Sequence, residues 1–170
     1  MKRMGRDEYL MNIASVISLR GTCPRAKVGA VLTREGRIIS TGYNGSPSGT
    51  LHCEEEGFTA GCILDKRGKC IRTVHAELNC ICFAAKHGIR TEGTTLYVTY
   101  SPCLECAKAI INAGIKEVLY LKEYTPNGIR ILLEAKVDTK QYRIIPEVLS
   151  SFKQTEKEKS IYESRRCEHL

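Results

Sequence analysis

Two short motifs far apart in the chain place the strongest constraint on its fold. They read His75-Ala76-Glu77 and Pro102-Cys103-Leu104-Glu105-Cys106. One imidazole and two closely spaced thiolates suit a tetrahedral zinc ion whose fourth position is left to water. Glu77 lies close enough to the histidine ligand to handle the protons of that water. The fold must therefore bring both motifs to one point. A closed structural zinc site is the alternative, but it would normally show a fourth protein ligand.

The apolar patterns around these motifs predict how they meet. An amphipathic helix is expected over 7–19, a hairpin over 28–32 and 37–42, helices over 74–87, 103–113 and 129–136, and strands over 95–99, 117–121 and 141–145. This alternation predicts an α/β fold, a mixed sheet with helices packed on its faces. Both motifs fall at predicted helix starts, where the positive ends of the helix dipoles would lower the pKa values of the thiols.

Length and composition limit the class of protein. The 170 residues predict one domain over 1–146, followed by a Lys- and Glu-rich tail over 147–170 that is helical or disordered. No apolar run approaches the ~20 residues that span a bilayer, and no signal peptide is visible, so we expect a cytoplasmic protein without a membrane partner. Nine cysteines in such a chain favour metal binding over disulfides.

The residues around the motifs resemble a known family. The matching segments are Gly42-Tyr43-Asn44-Gly45-Ser46-Pro47-Ser48-Gly49, His75-Ala76-Glu77-Leu78-Asn79, Tyr97-Val98-Thr99, Ser101-Pro102-Cys103 and 107–115. Over about 7–145 the chain is similar to the deoxycytidylate (dCMP) deaminases of the zinc-dependent cytidine/deoxycytidylate deaminase family. Thr22-Cys23-Pro24-Arg25 also resembles its ComE operon protein 2 branch. The resemblance implies a three-layer α/β/α fold with a mixed five-stranded sheet, conversion of dCMP to dUMP and ammonia, and a homo-oligomer, with a hexamer favoured.

The resemblance also implies roles for individual residues at the substrate. Asn44 matches an asparagine that hydrogen-bonds the deoxyribose 3′-hydroxyl. The Ala76 amide and Glu77 would read the edge of the cytosine, and the Ser101 carbonyl would face the amino group that leaves. Tyr124 occupies a position where family members place an aromatic side chain near the nucleotide.

The phosphate and the effectors need further residues. For the phosphate we favour Arg25 and place Lys27 second, because a dianion calls for a charge-assisted and preferably bidentate donor. The alternative for both is a solvated surface cation. In the family, dCTP with Mg²⁺ activates and dTTP inhibits, so regulation is an expectation. The residues matching that allosteric site are Gly42, Asn44, Gly45 and Gly49.

A second, structural zinc is predicted from the remaining thiols. Its candidate ligands are Cys23, Cys53, Cys62 and Cys70, with His52 in reserve. Three of these cysteines lie in a long irregular stretch, 43–72, which a metal would order. The resemblance implies that Cys23 and Cys53 are ligands, whereas Cys62 and Cys70 are our own candidates. The alternative is that they are small buried hydrophobic residues or free thiols.

Other functions remain open. Another deaminase of the superfamily would act on cytidine, dCTP, guanine or tRNA adenosine, although the Gly-Tyr-Asn-Gly loop disfavours these. A different class is a non-catalytic accessory protein that binds nucleic acid, suggested by the net charge of +7. Such a protein would not need Glu77. We expect a nucleotide rather than nucleic acid to be the partner.

Overall fold

A computed structural model describes residues 3–53, 63–66, 68 and 70–143 of the chain. Within them the elements run α1 (Arg6–Ser18), β1 (Gly29–Arg34), β2 (Arg37–Tyr43), α2 (Ala76–Lys86), β3 (Thr95–Tyr100), α3 (Leu104–Asn112), β4 (Glu117–Lys122), α4 (Pro126–Glu134) and β5 (Asp138–Gln141). The five strands form one sheet in the order β2-β1-β3-β4-β5. β1 is antiparallel to both of its neighbours, whereas β3, β4 and β5 are parallel. The predicted mixed five-stranded sheet is thus confirmed.

Helices cover both faces of this sheet. On one face α1 buries Leu10 and Ala14 against Val31, Tyr97 and Leu119. On the other face lies the larger core cluster, to which α2, α3 and α4 contribute buried residues. The period of the apolar positions in α1 predicted this burial. The described part of the chain therefore has the three-layer α/β/α architecture.

The hairpin that opens the sheet has the expected tight turn. Glu35 and Gly36 connect β1 to β2 with φ angles of 52° and 77°. Two consecutive positive φ angles match the right-handed twist of paired strands.

Close backbone approach and hydrogen bonds fix the start of α2 against β2. A Cβ atom on Gly42 would lie 2.3 Å from the Ala76 carbonyl oxygen, so β2 and α2 touch without an intervening side chain. The Asn79 side-chain amide donates to the Tyr43 carbonyl at 2.6 Å. At the next residue of α2, the Cys80 carbonyl accepts a hydrogen bond from the Ser40 hydroxyl at 2.7 Å. These contacts position the first turn of α2, where the first metal-ligand motif lies.

Two element predictions need correction. The last helix begins at Pro126 rather than at 129, because Thr125 takes the N-cap position and proline suits the first helical turn. The strand predicted over 141–145 was wrong, since β5 occupies Asp138–Gln141. The chain reverses at Lys136, whose φ is 59°, and pairs with β4 almost at once. β5 is an edge strand with polar side chains, so a prediction based on apolar alternation did not detect it.

Two further predictions concern the C-terminal tail and the membrane. The predicted tail, 147–170, lies outside the described residues. Among the residues that are described, no helix has the length and apolar character needed to cross a membrane.

Candidate active site

Three potential metal ligands converge where two helices begin. His75 is the N-cap residue of α2, and Cys103 is the N-cap residue of α3. The His75 Nδ1 atom lies 3.5 Å from Cys103 Sγ and 3.4 Å from Cys106 Sγ. Within the described ranges this is the one His/Cys/Asp/Glu group of three or more whose ligand atoms all lie within 4.8 Å of one another. The predicted meeting of the two motifs is therefore present in the fold.

The two thiols share their protons unequally. The hydrogen bond from Cys106, followed by that from His75, lowers the pKa of Cys103 to about 3. The same hydrogen bond and burial hold the pKa of Cys106 far above its ordinary value. A pair of thiols that keeps one proton between them becomes a pair of thiolates when a dication takes the proton's place. One imidazole and two sulfur donors match the preferences of Zn²⁺ and leave one tetrahedral position to a non-protein ligand.

Glu77 lies beside this group and is almost inaccessible. Its exposed fraction is 4%, and burial raises the pKa of its carboxyl group above the ordinary value. Interaction with His75 opposes that shift, whereas the charge of Cys103 adds to it. A buried carboxyl with a raised pKa is suited to accept and return a proton near neutral pH.

A cavity of about 620 Å³ opens onto these groups. His75, Glu77 and Cys103 lie on its wall, and so do the predicted substrate residues Asn44, Ala76, Ser101, Tyr124 and Arg25. The Ala76 N–H belongs to the first turn of α2, where backbone donors have no acceptor within the helix. The volume of the cavity is ordinary for a small-molecule site. The fold thus brings two of the three predicted zinc ligands, His75 and Cys103, and most predicted substrate residues to one cavity.

Asn44 and Ser101 also have structural partners. The Asn44 side chain accepts from the Val28 N–H at 2.8 Å and donates to the Ala26 carbonyl at 2.7 Å, so it clamps the segment before β1. The Ser101 hydroxyl accepts from the Tyr124 N–H at 2.8 Å. A primary amide has two N–H donors and two acceptor lone pairs, so the Asn44 clamp leaves capacity for a ligand.

The two candidate phosphate cations differ in position. Arg25 lines the cavity, and its Nη1 donates to the Gly68 carbonyl at 3.0 Å. Lys27 is not among the described residues that line the cavity, and its Nζ donates to the Gly21 carbonyl at 2.6 Å. A guanidinium has five donors, so Arg25 can hold Gly68 and also bind an anion. The geometry favours Arg25.

The structure gives less support to the two other predicted sites, the effector site and the second zinc site. Gly45 pairs with Val74, and Gly49 has a φ of 83°, so both have local backbone roles apart from any effector. Cys23 and Cys53 are buried, and Cys70 Sγ lies 3.4 Å from Thr73 Oγ1. In the part of the chain that the structure describes, Cys23, Cys53 and Cys70 do not form a ligand group within 4.8 Å. Cys62 lies outside the described residues, so the second zinc site stays a prediction.

Several residues of the cavity were missed by the sequence reasoning. They are Ala26, Val28, Gly68, Thr73 and Tyr100. Tyr100 ends β3 two residues before the second motif. A residue at the carboxyl end of a strand next to a ligand loop was a usable signal. The others come from irregular segments, whose path no periodicity predicts.

This fold and site define a class of protein: an α/β protein with a metal-ligand group at two helix N-termini. Comparison with known proteins agrees with that class. Residues 4–122 match the family described as the cytidine and deoxycytidylate deaminase zinc-binding region. The chain therefore belongs to the cytidine and deoxycytidylate deaminase family. It is 40% identical over 159 residues to ComE operon protein 2 of Bacillus subtilis, which covers 92% of this chain and 81% of that protein.

Other relatives carry the name deoxycytidylate deaminase. The protein of Enterobacteria phage T2 is 38% identical over 151 residues, which is 69% of this chain and 80% of the relative. Among solved structures, the dCMP deaminase of cyanophage S-TIM5 in complex with dCMP and dUMP superposes with a TM-score of 0.71 at 33% identity. That match covers 84% of this chain and 100% of the other. The cytidine-deaminase-like fold inferred from the sequence is thereby confirmed.

Proposed function

We propose that this chain is a cytoplasmic, zinc-dependent deaminase that hydrolyses dCMP to dUMP and ammonia. The observation that carries the proposal is the position of the buried Glu77 carboxyl beside the His75, Cys103 and Cys106 group, on the wall of one cavity. The name deoxycytidylate deaminase, carried by two phage relatives at 38% identity, supports dCMP as the substrate.

His75, Cys103 and Cys106 would hold the zinc ion. When bound, zinc supplies Lewis-acid activation of water at neutral pH. Glu77 takes a proton from the water that attacks C4 of cytosine and delivers it to ring nitrogen N3. Glu77 then moves the second proton of that water to the amino group, so that the C4–N bond breaks, C4 becomes a carbonyl carbon and ammonia leaves. The Ala76 N–H and the Ser101 carbonyl orient the ring edge, and Asn44 orients the sugar.

Arg25 is proposed to bind the phosphate, and this predicts the substrate preference. The Arg25→Ala variant should lose about 10- to 100-fold in kcat/KM on dCMP, because a charge-assisted hydrogen bond contributes about 1.5–3 kcal/mol. Its kcat/KM on deoxycytidine, which has no phosphate, should stay at the wild-type level. Steady-state rates on dCMP, deoxycytidine, dCTP and a tRNA anticodon stem measure both the preference and the competing deaminase functions.

The controls separate binding from scaffolding. Arg37→Ala removes an exposed arginine of β2 and should leave both rates unchanged. Equal losses on dCMP and deoxycytidine in Arg25→Ala would mean that Arg25 acts only by holding Gly68. No turnover of dCMP by the metal-loaded wild-type protein would refute the proposed function itself.

The proposal also covers regulation by nucleotides and assembly into a homo-oligomer. We expect dCTP with Mg²⁺ to activate and dTTP to inhibit, with Gly42, Asn44, Gly45 and Gly49 near the effector. The assay is dCMP turnover with and without each effector. We also expect a homo-oligomer, with a hexamer favoured, which analytical ultracentrifugation measures.

A second zinc held by Cys23, Cys53, Cys62 and Cys70 is likewise proposed. The burial of Cys23 and Cys53, at 5% and 4% exposure, supports ligands withdrawn from solvent. Metal analysis of the purified protein should give two zinc ions per chain, and Cys53→Ser should reduce the count to one without removing the catalytic ion. One zinc ion per chain, together with unchanged stability of Cys62→Ser, would contradict this site.

A further inference from the structure

The segment that joins β4 to α4 contacts the loop that carries Cys103. We call 122–128 the connector and 101–103 the ligand loop. Two hydrogen bonds join them: the Ser101 N–H donates to the Lys122 carbonyl at 2.7 Å, and the Tyr124 N–H donates to the Ser101 hydroxyl at 2.8 Å. Both bonds involve backbone atoms of the connector, so they fix its path rather than a side-chain rotamer.

A third contact is steric and lies next to the metal ligand. Gly128 is buried in the first turn of α4. A Cβ atom built on it would lie 1.8 Å from the Pro102 carbonyl oxygen and 3.0 Å from the Cys103 carbonyl carbon. The backbone of α4 therefore rests directly on the peptide between Pro102 and Cys103. Backbone atoms cannot rotate away as a flexible side chain would, so any larger residue must separate the helix from the loop.

We propose that Gly128 is a positioning residue for the metal centre: it lets α4 seat the Pro102–Cys103 peptide so that the Cys103 sulfur meets His75 and Cys106. The inference deepens the proposed function and rests on it in taking this group as the zinc site. Gly128 acts through Cys103 and needs no contact with substrate.

The connector also reaches the substrate cavity. Tyr124 lies on the cavity wall and is 59% exposed, while its backbone N–H holds Ser101. The same short segment thus joins the nucleotide side of the cavity to the metal-ligand side. Outer partners of metal ligands typically change metal affinity or activity by about 10- to 100-fold when they are altered.

The test is a cobalt titration of the metal-free full-length protein, followed by the absorption of the cobalt–thiolate centre. In Gly128→Ala the dissociation constant for Co²⁺ should rise about 10- to 100-fold, and the absorption bands should shift as the tetrahedron distorts. Gly5→Ala is the matched control, because the same added carbon meets no atom within 4 Å there. It should bind cobalt like the wild type.

Two further variants separate positioning from general destabilisation. Leu132→Ala opens a cavity at a fully buried core position one turn beyond Gly128 in α4, and should lower stability without shifting the cobalt bands. Ser101→Ala removes one connector bond without a clash and should weaken cobalt binding by a smaller factor. It serves if Gly128→Ala does not fold.

The outcomes are decisive in both directions. Wild-type cobalt affinity and spectrum in Gly128→Ala would overturn the inference, as would an equal loss in Leu132→Ala. If Gly128→Ala does not fold, wild-type binding by Ser101→Ala overturns it. A wild-type protein that binds cobalt tightly but does not turn over dCMP would refute the proposed function alone.

Discussion

Among single residues, Glu77 combines burial, a raised carboxyl pKa and contact with the ligand group. A second glutamate, Glu105, lies between the two cysteine ligands in sequence but points to solvent, with 62% of its side chain exposed. Both lie within two residues of a metal ligand along the chain, so proximity in sequence does not separate them. Their burial does.

We therefore expect Glu77→Gln to lower kcat on dCMP by about 10²- to 10⁴-fold, the usual contribution of a positioned proton-transfer group. The amide keeps the size of the side chain but cannot accept the proton. Zinc content should be unchanged, because the three ligands remain. Steady-state rates on dCMP measure kcat, and metal analysis of the same preparation measures the zinc content.

Glu105→Gln is the control for that substitution. It removes an exposed ion pair with Lys108 at 3.0 Å, which contributes only about 0–1 kcal/mol. Its turnover should match the wild type. A Glu77→Gln enzyme within tenfold of the wild-type rate would rule out the proton-transfer role. A Glu77→Gln protein that lost deamination but kept its biological activity would favour the accessory-protein alternative.

Between single residues and the whole fold, one part-buried hydrogen bond ties α1 to the sheet. The Tyr97 hydroxyl of β3 donates to the Asp7 carboxylate at 2.9 Å, across the layer formed by α1. Burial, followed by the hydrogen bond to Asp7, raises the pKa of Tyr97. This bond was not predicted, because its partners are 90 positions apart.

We expect Tyr97→Phe to lower the free energy of unfolding by about 1 kcal/mol, the net contribution of one such hydrogen bond. Because the folded-state pKa is the higher one, this stabilisation is complete below the ordinary tyrosine pKa of about 10 and is lost as the pH rises above it. Urea unfolding at neutral pH and in alkaline buffers measures the difference. A gap between wild type and variant that grows above pH 10 would contradict this assignment.

The elements themselves were predictable where an apolar period was present. α1, α2, α3 and the four strands before the last were expected to within a few residues. β5 was misplaced because its Asp, Thr, Lys and Gln residues have no apolar alternation. The metal ligands were predictable because their spacing is local chemistry. The part of the cavity wall formed by Gly68, Cys70 and Thr73 was not, since its position depends on contacts such as Arg25 to Gly68.

At the scale of the whole molecule, the ligand group links two parts of one layer. His75 belongs to α2, which packs on β2, whereas Cys103 and Cys106 belong to α3, which follows β3. A metal bound there joins both helices at their N-termini. Binding to the folded chain alone stabilises it in proportion to the logarithm of the metal concentration.

Removing the metal with a chelator should therefore lower the free energy of unfolding by about 3–4 kcal/mol at free zinc several hundred times the dissociation constant. Thermal unfolding with and without chelator measures the shift, and added Zn²⁺ should restore it. Mg²⁺ is the control and should not restore it, because it prefers oxygen ligands. An unchanged Tm after confirmed metal loss would contradict a linking role.

The contacts of Gly42 and Gly128 have a consequence for how this protein can evolve. At both positions a single added carbon would overlap a backbone oxygen, at 2.3 Å and 1.8 Å respectively. A mutation to alanine, among the mildest in chemical terms, is there among the most harmful. Natural drift should therefore leave these two glycines fixed while exposed charged residues nearby exchange freely. Conservation of these two glycines would then reflect the close packing of α2 and α4 against neighbouring backbone, and not a role in the chemistry.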